Sequence, residues 1–93
     1  MNKIIFALTH SDVSSAMLIA VAESLIAYPT TKRSTCRALK EAIANLNEVG
    51  EKRGSNLTNF LVNQARYELA HRIDAYCYYP DIEQAIFDSG WKG

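Results

Sequence analysis

His71, Asp74 and Cys77 follow one another at three-residue intervals, and all three are metal donors. On a helix, positions i, i+3 and i+6 fan across roughly 120° instead of converging on one point. A tetrahedral zinc centre would also need a fourth donor, for which His10 and Cys36 are the remaining soft candidates. The spacing therefore predicts an exposed histidine and aspartate beside a buried cysteine, with no metal. His10, Ser11 and Asp12 carry the letters of a hydrolytic triad, but consecutive residues cannot bring nucleophile, base and orienting acid into line. Helix capping is the expected role for them. The four glycines are scattered and form no phosphate-binding loop, and neither a His-Glu-x-x-His nor a Gly-x-Ser-x-Gly motif occurs. The expectation is a protein that is not an enzyme and carries no cofactor.

Lys32, Arg33, Ser34 and Thr35, with Arg37 and Lys40, place four basic residues and two hydroxyls around the start of a predicted helix. Cations there oppose the helix macrodipole, whose positive end is already at the N-terminus. Free backbone N–H groups, hydroxyls and guanidinium groups together suit phosphate or another anion. The other reading is a solvated face on which Arg37 pairs with Glu41. If the cluster acts, the chain is an oligomer that sequesters a phosphate-bearing small molecule or nucleotide.

Tyr76, Cys77, Tyr78, Tyr79, Phe87 and Trp91 concentrate large or polarisable side chains near the C-terminus. Tyrosine and tryptophan are typical anchors of protein interfaces, so Tyr76, Tyr78, Tyr79 and Trp91 are the candidate contact residues. The competing reading makes them a lid on the core.

The elements that position these residues are read as helices throughout. Asp12, with Ser11 and Thr9 as rival caps, opens a helix that runs to about Ala27 and stops before Pro29. Val13, Met17, Ala20, Val21, Leu25 and Tyr28 share one of its faces, but Leu18, Ile19, Ala22 and Ile26 fill much of the rest. Such a helix must be central or shared with a second subunit. Thr30, Thr31 or Ser34 caps a second, amphipathic helix with Cys36, Leu39, Ile43, Leu46 and Val49 inward, ended by Gly54. Arg37 with Glu41, and Glu48 with Lys52, are one turn apart on it.

A third helix opens at Ser55-Asn56 and carries Leu57, Leu61, Ala65, Leu69, Ile73 and Tyr76 as a stripe, with Phe60 and Val62 beside it. Glu68 and Arg72 pair one turn apart. Pro80 ends it near Tyr78-Tyr79, after which Asp81 and Gln84 have capping-box spacing for a short helix of Ile82, Ala85, Ile86 and Phe87, closed by Gly90. Trp91 folds back. The sequence thus predicts an all-α fold: a single domain, residues 1–93, forming an antiparallel helical bundle of three long helices and a short C-terminal one.

With 93 residues, 48% of them hydrophobic, the chain can build one core of modest stability. Self-association is an expected way of covering spare apolar surface, so a homo-oligomer is expected. Ten basic and ten acidic residues cancel, leaving no global field to attract DNA or an anionic membrane. The third helix offers only Arg66 and Arg72 to a DNA groove, so sequence-specific DNA reading is not expected. Two cysteines without a Cys-x-x-Cys pair fit a reduced, cytoplasmic protein. Residues 4–8 are too short an apolar run for a signal peptide, and the stretch from Val13 to Tyr28 is too short and polar to span a bilayer. Size and neutrality fit a regulatory protein that works by binding a protein partner. An inhibitor or adaptor encoded by a phage or mobile element, directed at a larger host defence machine, is the example these features suggest.

Overall fold

Two prolines and one serine set the helix boundaries. The computed structural model describes residues 8–9, 13–51 and 56–90, and among them are helices α1 (Ser15–Ala27), α2 (Arg33–Glu51), α3 (Asn56–Tyr76) and α4 (Tyr79–Asp88), with no strand. Ser14 caps α1, its hydroxyl accepting the Met17 N–H at 3.1 Å. The helix therefore opens later than a cap at Asp12, Ser11 or Thr9 would place it; Ser11 and Asp12 themselves lie outside the described residues. Tyr28 is extended, as a residue before proline must be, and α1 stops.

Thr31 does not open α2 as expected. Its hydroxyl donates to the Leu25 carbonyl at 2.6 Å and its N–H to Tyr28 at 3.1 Å, so it closes α1. Ser34 is already inside α2, where the Cys36 N–H bonds back to the Lys32 carbonyl. The expected caps at Gly54 and Ser55, the Glu48–Lys52 pair and the side chain of Leu57 lie outside the described residues.

Helix α3 ends at Tyr76, short of Tyr78-Tyr79, because a proline at position 80 has no N–H to give and its ring collides with the helical carbonyl four residues back. Pro80 instead sits in the first turn of α4, where a missing N–H is harmless. The capping box at Asp81 and Gln84 does not form: Asp81 is inside the helix, and the Gln84 amide donates to Asp88 at 2.9 Å. Gly90, at φ +83°, closes α4 as expected.

The four helices enclose one apolar cluster. Helix α1 contributes Leu18, Val21, Ala22 and Leu25 and packs against all three others. An almost wholly apolar helix is thus resolved as the central one. Met17, Ile19 and Ile26 fill in at its margins, and its exposed positions include Glu23, Ala16 and Ala27. The inner face of α2 is Thr35, Leu39, Ala42 and Leu46; Cys36, Ile43 and Val49 are only half-buried. Helix α3 supplies Ala65, Leu69, Ala70 and Ile73, and α4 supplies Ile82 and Ala85. Three expected inward residues are not inside. Leu61 is half-exposed, while Tyr76 and Phe87 stand out from the surface, because the α3 and α4 stripes are narrower than their apolar content suggests.

Helices α2 and α3 run antiparallel, held by Arg72. Its guanidinium donates to the Ala38 carbonyl at 2.7 Å, to Glu68 at 3.0 Å and, at 3.5 Å, reaches Glu41. The Glu68–Arg72 pair is the expected one. Glu41, however, faces α3, and Arg37 makes no ion pair among the described residues. Arg66 donates to the Val13 carbonyl. Both arginines of α3 are therefore engaged in holding the bundle together. Among the described residues no helix is long and apolar enough to cross a membrane.

Candidate functional site

The basic cluster divides between two faces of α2. Arg33, Arg37 and Lys40 follow helical spacing along an outer stripe and are exposed. Lys40 borders a shallow groove with Glu23, Ile26 and Asn47 between α1 and α2. Lys32, Ser34 and Thr35 turn the other way, into a concavity of about 420 Å³ that Tyr76 and Tyr78 also line. Part of the basic helix start and part of the aromatic cluster thus meet in one place within a single chain.

Three segments build this concavity. The α1–α2 corner contributes Leu25, Thr30 and Thr31; the start of α2 contributes Lys32, Ser34 and Thr35; and the α3–α4 corner contributes Ala75, Tyr76, Cys77, Tyr78 and Asp81. Antiparallel packing of α2 on α3 brings the first end of one to the last end of the other. Because the first backbone bond of α2 comes from Cys36, the N–H groups of Arg33, Ser34 and Thr35 have no intrahelical acceptor. Thr35, 7% exposed, lines this concavity.

Asp81 and Cys77 were not expected here. Asp81 had an apparent role in capping, and nothing in a linear spacing reveals that the α3–α4 corner folds over the start of α2. Burial pushes the Cys77 thiol up to about 11, helped by the negative charge of Asp81 and by Cys36. Both thiols are free, and Cys36 Sγ lies 3.7 Å from the Ile26 carbonyl. His71 is exposed and stacks on Tyr67, ring centroids 6.1 Å apart, so it is oriented toward an aromatic neighbour. Among the described residues no group of three or more His, Cys, Asp or Glu is placed to hold a metal.

The contact candidates Tyr76, Tyr78 and Tyr79 are all more than half exposed, which removes the core-lid reading for them; Trp91 lies outside the described residues. Phe87, at 77%, is the most exposed large apolar side chain described, followed by Tyr78 at 71%. On α4, Tyr79, Glu83 and Phe87 succeed one another at four-residue steps and form its outer face. A second aromatic surface was missed by sequence reasoning: Phe60 and Tyr67, two turns apart on α3, flank an open groove of about 620 Å³ with Asn45 and Val49 of α2. Phe60 had been placed beside the core stripe. Its apolar character hid its exposure.

No family model, curated protein or solved structure matches the chain. Fold and surface together define a class: among the described residues, an all-α bundle that displays large aromatic side chains on α3 and α4.

Proposed function

We propose that this chain is a non-enzymatic binding protein that acts by contact with a protein partner through the outer face of α4 and the corner before it. The carrying observation is the display of Tyr78, Tyr79 and Phe87, each more than half exposed, on and beside a ten-residue helix. Large aromatic side chains held in water cost solvation that association recovers, and they anchor interfaces out of proportion to their number. Asp81, Glu83 and Asp88 accompany them, and α4 contains no basic residue. The complementary partner surface is an apolar patch rimmed by arginine or lysine. A regulatory role, inhibitor or adaptor, fits a small chain whose display occupies one face and leaves the core closed.

The experiment is affinity purification from the native host with the parent chain and with a Tyr79→Ser/Phe87→Ser variant, each followed by mass spectrometry. The expected result is a partner retained by the parent and lost by the variant while the helical circular-dichroism spectrum is unchanged. Equal retention by both would move the contact off α4.

A further inference from the structure

We infer that the open groove beside Phe60 and Tyr67 on α3 joins two copies of this chain, around a two-fold axis that passes beside Asn63 and Gln64. The spacing supplies the symmetry. Phe60 and Tyr67 are 57% and 55% exposed and stand two turns apart on one face of α3, with a hollow of about 620 Å³ next to them. In a contact between identical patches, one residue meets a second on the partner while the second meets the first. Two antiparallel α3 helices therefore set Phe60 against the partner's Tyr67, and Tyr67 against the partner's Phe60. Each copy both offers aromatic side chains and receives them in its hollow, so the surface removes its own exposed apolar area from water.

Charge selects a second copy as the occupant. A two-fold axis brings a patch against itself, so a patch of one sign repels its copy. The α4 face carries Asp81, Glu83 and Asp88 without a base, and the outer stripe of α2 is Arg33, Arg37 and Lys40, so neither suits its own copy. The α3 groove does. Its described lining holds one charged side chain, Glu68, which Arg72 of the same chain neutralises at 3.0 Å. Asn45, Asn63 and Gln64 line it as well. A side-chain amide has both donors and an acceptor, so it hydrogen-bonds to an identical amide, which an ionised carboxylate or an ammonium does not. Asn63 and Gln64 lie midway between Phe60 and Tyr67, so the axis brings this pair of amides against the same pair on the partner. The interface shares no residue with the contact proposed on α4, and either reading can fail alone.

The test is sedimentation equilibrium of the full chain from micromolar to millimolar concentration. A reversible dimer of twice 10.4 kDa is expected. Phe60→Ser and Tyr67→Ser should each weaken it about tenfold or more, with the helical circular-dichroism spectrum kept because both side chains already stand in water. Charge at the axis gives the deciding pair. Gln64→Lys alone and Gln64→Glu alone should each dimerise at least about tenfold more weakly than the parent, since like charges meet across the axis. An equimolar mixture of the two should dimerise again, and circular dichroism of every variant checks the fold. A parent of one-chain mass throughout, parent-like dimers of Gln64→Lys and Gln64→Glu, or a mixture no stronger than either variant alone would overturn the inference. So would dimerisation lost in Tyr79→Ser/Phe87→Ser and kept in Phe60→Ser/Tyr67→Ser, which would put the contact on α4.

Discussion

The guanidinium of Arg72 donates to the main-chain carbonyl of Ala38 at 2.7 Å, joining the last turns of α3 to the first turns of α2. The same group pairs with Glu68 and Glu41, both of which are largely exposed. Exposed ion pairs contribute little, whereas a charged donor on a half-buried carbonyl is worth about 1.5–3 kcal/mol. Arg72→Met should therefore cost about that much in denaturant unfolding, while Glu41→Gln and Glu68→Gln should each cost below about 1 kcal/mol. Equal losses for all three would show that the ion pairs, and not the carbonyl, carry the effect.

Leu39 and Leu69 are fully buried on facing helices. Truncation of either to alanine should lower stability by about 2–5 kcal/mol, a large part of what a chain of this size possesses. Leu61, half-exposed at the rim of the α2–α3 groove, should lose much less, below about 1.5 kcal/mol. Urea titration of the three variants gives the order directly.

Tyr28 carries a buried hydroxyl with no hydrogen-bond partner among the described residues. Leaving such a group unpaired costs roughly 1–3 kcal/mol, so Tyr28→Phe should be neutral or should stabilise the chain by about 1 kcal/mol. A loss of stability above about 1 kcal/mol in thermal unfolding would mean that the hydroxyl is bonded in solution.

Cys77 holds its proton up to about 11 because burial disfavours the thiolate, with Asp81 and Cys36 adding to the effect. In a Cys36→Ser chain, thiolate absorbance should rise with a midpoint near that value, and alkylation at neutral pH should be slow until denaturant is added. The folded state binds this proton more tightly than the unfolded one. Its stabilising effect is complete below the ordinary thiol range and is lost as pH climbs through about 11. Asp81→Asn should shift the midpoint downward.

Self-association is expected through the Phe60–Tyr67 surface of α3, since α1 is covered within the chain. Light scattering of the parent should give a mass above that of one 10.4 kDa chain, reduced in a Phe60→Ser/Tyr67→Ser variant. A parent of one-chain mass at all concentrations would remove the homo-oligomer.

Much of the architecture was legible because its signals are local. Pro29 and Pro80 mark helix ends by their own stereochemistry, and Leu39, Leu46, Leu69 and Ile73 recur at helical spacing. What periodicity could not supply was the angular position of each stripe: Leu61 and Tyr76 continue the α3 pattern, yet the neighbouring helices do not reach them. Caps were ambiguous for the same reason. Thr31, Ser34 and Asp81 are all good capping residues, and only the three-dimensional path shows which carbonyl or N–H each meets. At the candidate site, Lys32, Thr35, Tyr76 and Tyr78 were singled out one by one. Their convergence depends on the α2–α3 register, set by long-range contacts such as Arg72 to Ala38.

The corner between α1 and α2 is knotted by short bonds: Thr31 reaches both Leu25 and Tyr28, Cys36 reaches Ile26, and Pro29 fixes its own backbone angle. A connection so fully bonded is a bracket and not a hinge. Helices α1 and α2 should move as one body on the microsecond-to-millisecond timescale, and the Thr31 amide should exchange with solvent hydrogen more slowly than its place in a five-residue link suggests. The concavity beside Lys32 therefore has one wall that is already set, and any change of its shape falls to the opposite wall, where Tyr76 and Tyr78 flank the break between α3 and α4.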